Sequence, residues 1–380
     1  MKTKLFFFAA AASLALASCS SDEVTESNAK LKGDAIRFAP TIQQTRTQVG
    51  AMSTFTDNDQ ADIYANFAGE KYFQEVFNYT AANGFAAQSP YYWPVMDGTQ
   101  NMVFTAFVNG TQTSEGVVEG FAPAADAANQ VDLMVAKHTA TAREDLVNLN
   151  FRHALSIINV KVKNSSANLK VNVTGLRVGY VKTASNSFTY AGVDTDTKDA
   201  VNIPLSAWDL VDFAAPGTGE TTASNYMYEQ TVSWSCTGQQ GAGMLGNEQD
   251  WLLLPQALKQ FEKDGASKKI YSDTEIGNSE KPALTGAYIG LKMEIRNNNA
   301  AGALIADTWC YWPIDEVTPN WEPGKIYTYT IDVATGGYYG DDPDPSDPDP
   351  SLVPVLKQVG LGVTIDIYDP ENYELNSLNL

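Results

Sequence analysis

Short runs in which apolar and polar residues alternate recur along most of the chain, and they constrain its fold more than any other feature. Alternation with a period of two is the pattern of a β-strand with one buried face, whereas helical periodicity is scarce. The alternating runs are Asp62 to Phe67, Met102 to Val108, Asp132 to Ala136, Leu146 to Phe151, Ile157 to Val162, Leu169 to Val173, Ala287 to Ile295 and Ile326 to Val333. The apolar run Trp251 to Leu254, stopped by Pro255, predicts a strand covered on both faces or a short core helix. Elsewhere a helical turn is expected only near Ala257 to Lys263. We therefore predict an all-β chain.

Length and charge limit the number of domains and the kinds of partner. The chain has 380 residues, enough for about two β-sandwich domains. We place them at residues 47–154 and 155–339, because the run from Leu149 to Val162 is typical of a strand that leaves one domain and enters the next. With 25 basic and 45 acidic residues the net charge is −20, which argues against a phosphate-binding surface. Nucleic acid is therefore not expected as a partner.

The first residues predict export and a lipid anchor. Lys2 and Lys4 precede an apolar run from Phe6 to Leu16, which is too short to span a bilayer and ends in Leu-Ala-Ser-Cys. We predict a signal peptide at residues 1–18 and lipid attachment to Cys19, which would hold the protein at the outer membrane through its acyl chains. Residues 19–46 then form a polar tether and the first strand.

A second alternating segment lies at the far end of the chain. Residues 340–351 are almost entirely Asp and Pro, which predicts a stiff, solvated linker before the tail at residues 352–380. In the tail, apolar residues occupy every second position: Val359, Leu361, Val363, Ile365 and Ile367. Such a strand must add to a sheet edge, because it cannot satisfy its backbone groups alone. That edge belongs either to another subunit or to the tail's own domain.

A matching segment lies near the front. In Ala35 to Ile42 apolar and polar residues alternate, and Pro40 predicts that this strand lies at a sheet edge. Directly after it, Arg46 and Thr47 stand in a polar stretch where an arginine-specific protease could cut.

Residue patterns for catalysis or metal binding are absent from the sequence. His138 and His153 are the only histidines, neither follows a nucleophile motif, and we predict no catalytic residue, cofactor or metal site. Cys236 and Cys310 could form a disulfide or stay as buried thiols. The aromatic stretches Tyr91 to Trp93 and Trp309 to Trp312 are expected in the core, although exposed rings there would favour a surface glycan-binding lipoprotein.

The order of several short motifs resembles that of the fimbrillins, the Mfa-like or FimA-like subunits of type V pili in the Bacteroidota. The motifs are the lipobox at Cys19, Phe38 to Arg46, Tyr91 to Pro94, Val103 to Phe107, Leu149 to Leu155, Val160 to Val162, Leu254 to Gln256, Trp321 to Tyr327 and Val363 to Asp366. The resemblance implies two tandem transthyretin-like β-sandwich domains followed by a C-terminal extension strand.

The resemblance also implies a function in adhesion and a route of assembly. An arginine-specific protease at the outer membrane would cut between Arg46 and Thr47 and remove the N-terminal strand. The tail strand of a neighbouring subunit would then fill the vacated groove and build a fimbria on the cell surface. The Asp-Pro linker departs from a plain stalk subunit, so a tip protein or an anchor that retains its lipid stays open.

Overall fold

The computed structural model describes residues 35–42, 52, 54–195, 203–213, 226–237, 245–246, 250–259, 286–314, 318–333, 338–339 and 361–367. The strands in the first half are β1 (Phe38–Ile42), β2 (Gln60–Phe67), β3 (Glu70–Thr80), β4 (Gly84–Ala86), β5 (Met102–Val108), β6 (Gln112–Ser114), β7 (Val117–Glu119), β8 (Met134–Ala140) and β9 (Val147–His153).

The strands of the second half are β10 (Ser156–Lys163), β11 (Leu169–Gly179), β12 (Ser185–Thr189), β13 (Trp208–Leu210), β14 (Met227–Thr237), β15 (Leu245–Gly246), β16 (Trp251–Leu253), β17 (Gln256–Ala257), β18 (Tyr288–Asn297), β19 (Leu304–Pro313), β20 (Asn320–Trp321), β21 (Lys325–Asp332), β22 (Tyr338–Tyr339) and β23 (Leu361–Ile367). Short 3-10 turns at Ala127–Asn129 and Leu205–Ala207 interrupt them. The prediction of an all-β chain is confirmed. Within the described ranges, no helix has the length and apolar character needed to cross a membrane.

The first half forms a closed seven-stranded barrel. Its strands follow the order β1, β4, β3, β2, β5, β8 and β9, and β9 pairs with β1 to close the ring. Every second residue of these strands points inward, so the interior is filled by apolar side chains such as Phe38, Phe77, Phe85, Phe104 and Phe151. This closed sheet stands where a two-sheet sandwich was expected.

The second half packs two sheets face to face. One has the order β15, β10, β21 and β23, with β16 also paired to β10, and the other has the order β14, β11, β18, β19 and β22. Their shared core contains the fully buried rings of Trp251, Trp312, Trp321 and Tyr329. Two packed sheets with this apolar interior agree with the sandwich predicted for the second half.

A fourth sheet joins the halves. It has the order β13, β12, β7 and β6, so strands from either side of the expected boundary at residue 154 pair with one another. Under it lies a third apolar cluster to which both halves contribute, including Phe107 and Val135 from the barrel and Trp208, Leu252 and Ile326 from the second half. The indole N–H of Trp208 also donates to the carbonyl oxygen of Ala154 over 3.0 Å. The two halves therefore pack against each other through a shared hydrophobic core.

All eight strands predicted from alternation are present, and β5 has its predicted bounds, whereas the ends of others shift: β8 continues to Ala140 and β11 to Gly179. The Trp251 run forms the fully buried strand β16. Ala257 lies in β17, which pairs with β20, and not in the expected helical turn, while residues 260–263 of that turn lie outside the described residues. The long strands β3, β14 and β19 were not predicted.

Candidate functional site: the barrel-closing strand

Strand β1 lies inside the barrel sheet, between β4 and β9. It pairs in parallel with β9, from Phe38 opposite Val147 to Ile42 opposite Phe151. On its other flank Phe38 pairs with Phe85 of β4. The prediction that this segment is an edge strand is therefore wrong, because it has a neighbour on both sides.

Two backbone contacts extend this pairing toward the start of the strand. The N–H of Ile36 donates to the carbonyl oxygen of Tyr91 over 2.8 Å, and Ala35 forms an antiparallel bridge with Tyr92. The segment from Ala35 to Ile42 is thus held along its described length by the first half of the chain.

Pro40 fits this interior position because of the side to which its nitrogen points. Backbone groups of successive strand residues point to opposite flanks. The backbone carbonyl oxygen of Arg37 accepts a hydrogen bond from the N–H of Val147 in β9 over 2.9 Å, whereas the N–H of Ile36 donates on the opposite flank. Because the direction alternates from residue to residue, the nitrogen of Pro40 points to the β4 side. The β1–β4 pairing ends at Phe38, so the missing N–H costs no ladder hydrogen bond.

Phe38 anchors β1 in the barrel core. Its side chain is fully buried, and its ring makes edge-to-face contacts with Phe77 and Phe104 at centroid distances of 5.3 and 5.2 Å. Burial of such a side chain is worth about 1.5–3 kcal/mol, and aromatic pairs of this geometry add about 0.5–1.5 kcal/mol. Removal of β1 would leave an apolar slot lined by these rings.

Gly84 allows β1 to approach β4 closely. It has a φ of +67°, and a Cβ at this position would lie 2.1 Å from the carbonyl oxygen of Phe38. Only glycine therefore fits both the turn and the approach of the neighbouring backbone. The contact of Gly84 with β1 depends on the pairing of the strands in the barrel.

The other flank of β9 is only partly paired. Strands β8 and β9 share just the pairs Met134 with His153 and Val135 with Arg152. Beyond them Thr195, from the second half, spans the gap. Its N–H donates to the carbonyl oxygen of Lys137 over 2.9 Å, and its own carbonyl oxygen accepts from the guanidinium of Arg152 at 2.7 and 3.1 Å. Residues 147–151 of β9 therefore have β1 as their main ladder partner.

The tail strand lies in the second half of the same chain. Strand β23 contains Leu361, Val363, Ile365 and Ile367, and it pairs antiparallel with β21 from Lys325 opposite Ile367 to Ile331 opposite Leu361. It forms the outer edge of that sheet. Of the two edges that the sequence left open, the tail occupies its own domain's edge in this structure. Cys19, Arg46, Thr47 and Val359 lie outside the described residues.

The histidines and cysteines have structural surroundings. A ring nitrogen of His138 lies 2.9 Å from Glu144, and Nδ1 of the buried His153 lies 2.7 Å from Asp132. Cys236 and Cys310 are both buried and free, so no disulfide joins them. Burial raises the pKa of the Cys236 thiol to about 11 and that of the Cys310 thiol to about 12.

The aromatic stretches considered for sugar binding belong mostly to the cores. Tyr91 stacks on Phe73 at a centroid distance of 4.1 Å, while Trp93 and Trp312 are buried. Trp309 packs over the guanidinium of Arg177 at 3.9 Å. These side chains therefore support the core interpretation. Among Tyr91, Tyr92 and Trp93, it is Tyr92 that is exposed.

Comparison with known proteins gives one family and a set of remote structural relatives. The fimbrillin-like family model matches residues 45–342. Similar solved structures include candidate cell adhesion proteins of Bacteroides ovatus (14% identity, 90% of this chain and 99% of that chain, TM-score 0.47) and Bacteroides uniformis (13%, 88% and 98%, TM-score 0.44). A fimbrial protein of Bacteroides ovatus is 12% identical over 79% of this chain and 49% of its own, with a TM-score of 0.33. No curated protein matches the chain.

Proposed function

We propose that this chain, which belongs to the fimbrillin-like family, is a structural subunit of a surface fimbria and serves adhesion. The family match at residues 45–342 includes strands of both the barrel and the sandwich. As a fimbrial subunit the protein would assemble with other subunits at the cell surface. Within this proposal the barrel and the sandwich are variants of the two tandem transthyretin-like domains that the resemblance to the fimbrillins implies.

The position of β1 is the observation that carries the proposed route of assembly. This strand closes the barrel, and it precedes Arg46 by only a few residues. Cleavage between Arg46 and Thr47 by an arginine-specific protease would free β1 from the rest of the chain. The slot between β4 and β9 would then expose apolar side chains and unpaired backbone groups, and both favour the binding of another strand.

The tail strand is the proposed occupant of that slot. Val359, Leu361, Val363, Ile365 and Ile367 present apolar residues at every second position, as β1 does at its buried positions. To reach a neighbour, the tail must leave its place beside β21. Because each subunit then receives a strand at one end and donates one at the other, the contact is head-to-tail and extends into a filament.

Before processing, the subunit would be a lipoprotein precursor of the outer membrane. Acyl chains on Cys19 would hold it there, and removal of residues 19–46 would release it from the lipid into the growing fimbria. A subunit that escapes cleavage would keep its lipid and act as an anchor, and a tip protein would donate no strand to a further subunit.

A surface glycan-binding lipoprotein is the alternative function. It would need exposed, coplanar rings in a cleft, whereas Trp93 and Trp312 are buried and Tyr91 is stacked on Phe73. The surroundings of these rings therefore favour the fimbrial subunit.

Limited digestion of the purified precursor with trypsin tests the proposal. We expect a cut after Arg46, read by N-terminal sequencing, followed by ladders of high molecular weight that resist mild heating in detergent. Arg46→Gln should abolish the ladders, and Arg143→Gln, at an exposed arginine after β8, should leave them unchanged. Deletion of residues 351–380 should allow the cut but prevent polymerisation. A protein that stays monomeric after a verified cut would refute the proposal.

A further inference from the structure

Two exposed tyrosines, Tyr72 and Tyr92, lie at the start of β1, and the exposed Val95 follows Tyr92 by three residues. The exposed fractions are 41% for Tyr72, 42% for Tyr92 and 87% for Val95. Tyr72 and Tyr92 are also joined directly, since the Tyr72 hydroxyl donates to the carbonyl oxygen of Tyr92 over 2.8 Å. We call Tyr72, Tyr92 and Val95 the rim patch.

We propose that the rim patch binds the apolar segment Leu352–Leu356 from the tail of a second copy of this chain. The inference rests on the proposed function, because it assumes that a neighbour's tail takes the place of β1. It adds a second contact surface outside the barrel slot, and it explains why apolar residues precede the donor strand.

The rim patch is continuous with the slot. Ala35, the first described residue of the N-terminal segment, bridges to Tyr92, and Ile36 bonds to Tyr91. A donor strand that runs in the direction of β1 keeps the parallel pairing with β9. Its preceding residues must therefore leave the slot at Ala35 and pass over the rim patch. Five extended residues span roughly 16 Å, which is enough to cover several side chains.

The two strands that can occupy the slot differ in what precedes them. Before β1 come Lys30, Leu31, Lys32, Gly33 and Asp34, in which Leu31 is the one large apolar residue. Charged residues gain little from an apolar surface, so this leader is poorly suited to cover Tyr92 and Val95.

The tail is suited to cover them. Leu352, Val353, Val355 and Leu356 precede its donor strand, separated from Val359 by Lys357 and Gln358, and Pro354 among them favours an extended backbone. A donor tail can thus bury apolar surface on the rim patch that the leader of β1 leaves in water. The difference would favour the neighbour's tail over the original strand and would make exchange hard to reverse.

Assembly kinetics of the full chain after cleavage at Arg46 test this contact. The patch variant Tyr92→Ser with Val95→Ser should lower the rate of polymer formation by about tenfold, because the altered side chains no longer bury apolar surface against the incoming tail. The tail variant Leu352→Ser with Leu356→Ser should lower the rate similarly. The patch and tail variants combined should be no slower than either alone, since both remove the same contact. Leu304→Ser, at an exposed apolar position of β19, is the matched control and should assemble at the normal rate.

An engineered disulfide between two copies of the chain tests the contact directly. With Val95→Cys in one copy and Leu356→Cys in another, oxidation should link neighbouring subunits of the polymer, while either variant alone should give no linked pairs. The native Cys236 and Cys310 are buried and should not interfere.

Different outcomes would refute the proposed function and the rim-patch contact. If the unaltered chain is cut after Arg46 and does not polymerise, the proposed function fails. If it polymerises, but the patch variant assembles at the normal rate and no linked pairs form, the rim patch is not the contact. Thermal unfolding of each uncut variant should match that of the unaltered precursor, because the altered patch side chains are exposed.

Discussion

Phe38→Ala distinguishes a strand that is discarded from a strand that is kept. Phe38 is fully buried in the barrel and packs edge-to-face against Phe77 and Phe104. If β1 leaves with the segment before Arg46, the assembled subunit no longer contains this residue. The substitution should therefore affect the uncut precursor and leave the fimbria unchanged.

The magnitude follows from the packing around the ring. A Phe→Ala change in a closed core costs about 3–5 kcal/mol, the sum of lost burial and the cavity that remains. The barrel offers little room to collapse, because the Phe38 backbone is already in close contact with Gly84. At about 1.4 kcal/mol for each factor of ten, the affinity of β1 for its slot should fall by roughly a hundredfold or more.

Urea denaturation of the uncut precursor, followed by circular dichroism, measures the first half of this prediction. The urea concentration at the midpoint of unfolding should fall for Phe38→Ala. The slope of the free energy of unfolding against urea concentration should show whether the same part of the chain unfolds in both proteins. Thr41→Ala is the matched control, because Thr41 lies on the same strand with an exposed side chain and should change the free energy of unfolding by less than about 0.5 kcal/mol. The heating temperature at which polymer ladders dissolve in detergent measures the second half.

Two results would refute the reasoning. An unchanged precursor midpoint would mean that the Phe38 ring does not hold β1 in the barrel. A lower dissociation temperature of the polymer would mean that β1 is still present after assembly, so that the tail of a neighbour cannot occupy its slot.

Further substitutions test the surroundings of β1 and the buried titratable groups. Gly84→Ala should lower the precursor's thermal midpoint by several degrees, because the added Cβ meets the carbonyl oxygen of the barrel-closing strand and the residue has a positive φ. Burial raises the pKa of Asp250 to about 6, so the folded state holds its proton more tightly than the unfolded chain does. The free energy of unfolding should therefore fall as the pH rises from about 4 to about 6, and Asp250→Asn should remove this slope in urea titrations at each pH. Cys236 and Cys310 should react with a thiol reagent at pH 8 only after denaturant is added, since both thiols are buried and their pKa values are raised; rapid labelling of either of these two residues in the native protein, read by peptide mass spectrometry that distinguishes them from Cys19, would contradict this.

Strand positions could be predicted where residues that face the core alternate with residues that face solvent. In β11, Leu169, Val171 and Val173 are buried while Lys170 and Asn172 are half-buried, and the predicted start at Leu169 agrees with that of the strand. Alternation fails where both faces carry mixed residues: β3 runs from Glu70 to Thr80 with exposed, half-buried and buried side chains in irregular order. The pairing of strands is also not a local property, which is why closure of the barrel by β1 could not be read from alternation.

At the candidate site, too, the buried strand face could be predicted from the sequence, whereas the strand pairing could not. The apolar positions of Ile36 and Phe38 indicated a strand with a buried face, and the structure places both side chains in the barrel core. Pro40 led to the wrong prediction of an edge, because the sequence does not show that β4 pairs with this strand only as far as Phe38, two positions before Pro40. The bonds of Thr195 to Lys137 and Arg152 were equally hidden, since they join residues that are more than 40 positions apart in the sequence.

The shared sheet and core hold the barrel and the sandwich in one arrangement, which affects how subunits could be spaced in a filament. The slot that we propose for an incoming strand is in the barrel, and the proposed donor strand lies on the sandwich. Between them stand the shared sheet of β6, β7, β12 and β13 and an apolar cluster drawn from both halves. Because packed interiors deform little, the proposed sites for receiving and donating a strand should keep a fixed geometry within each subunit. Adjustment between subunits then falls to residues 340–351, whose Asp-Pro composition predicts a semi-rigid spacer of about 3.1 Å per residue. The length and stiffness of this linker, and not bending within the subunit, should therefore set the spacing along the fimbria.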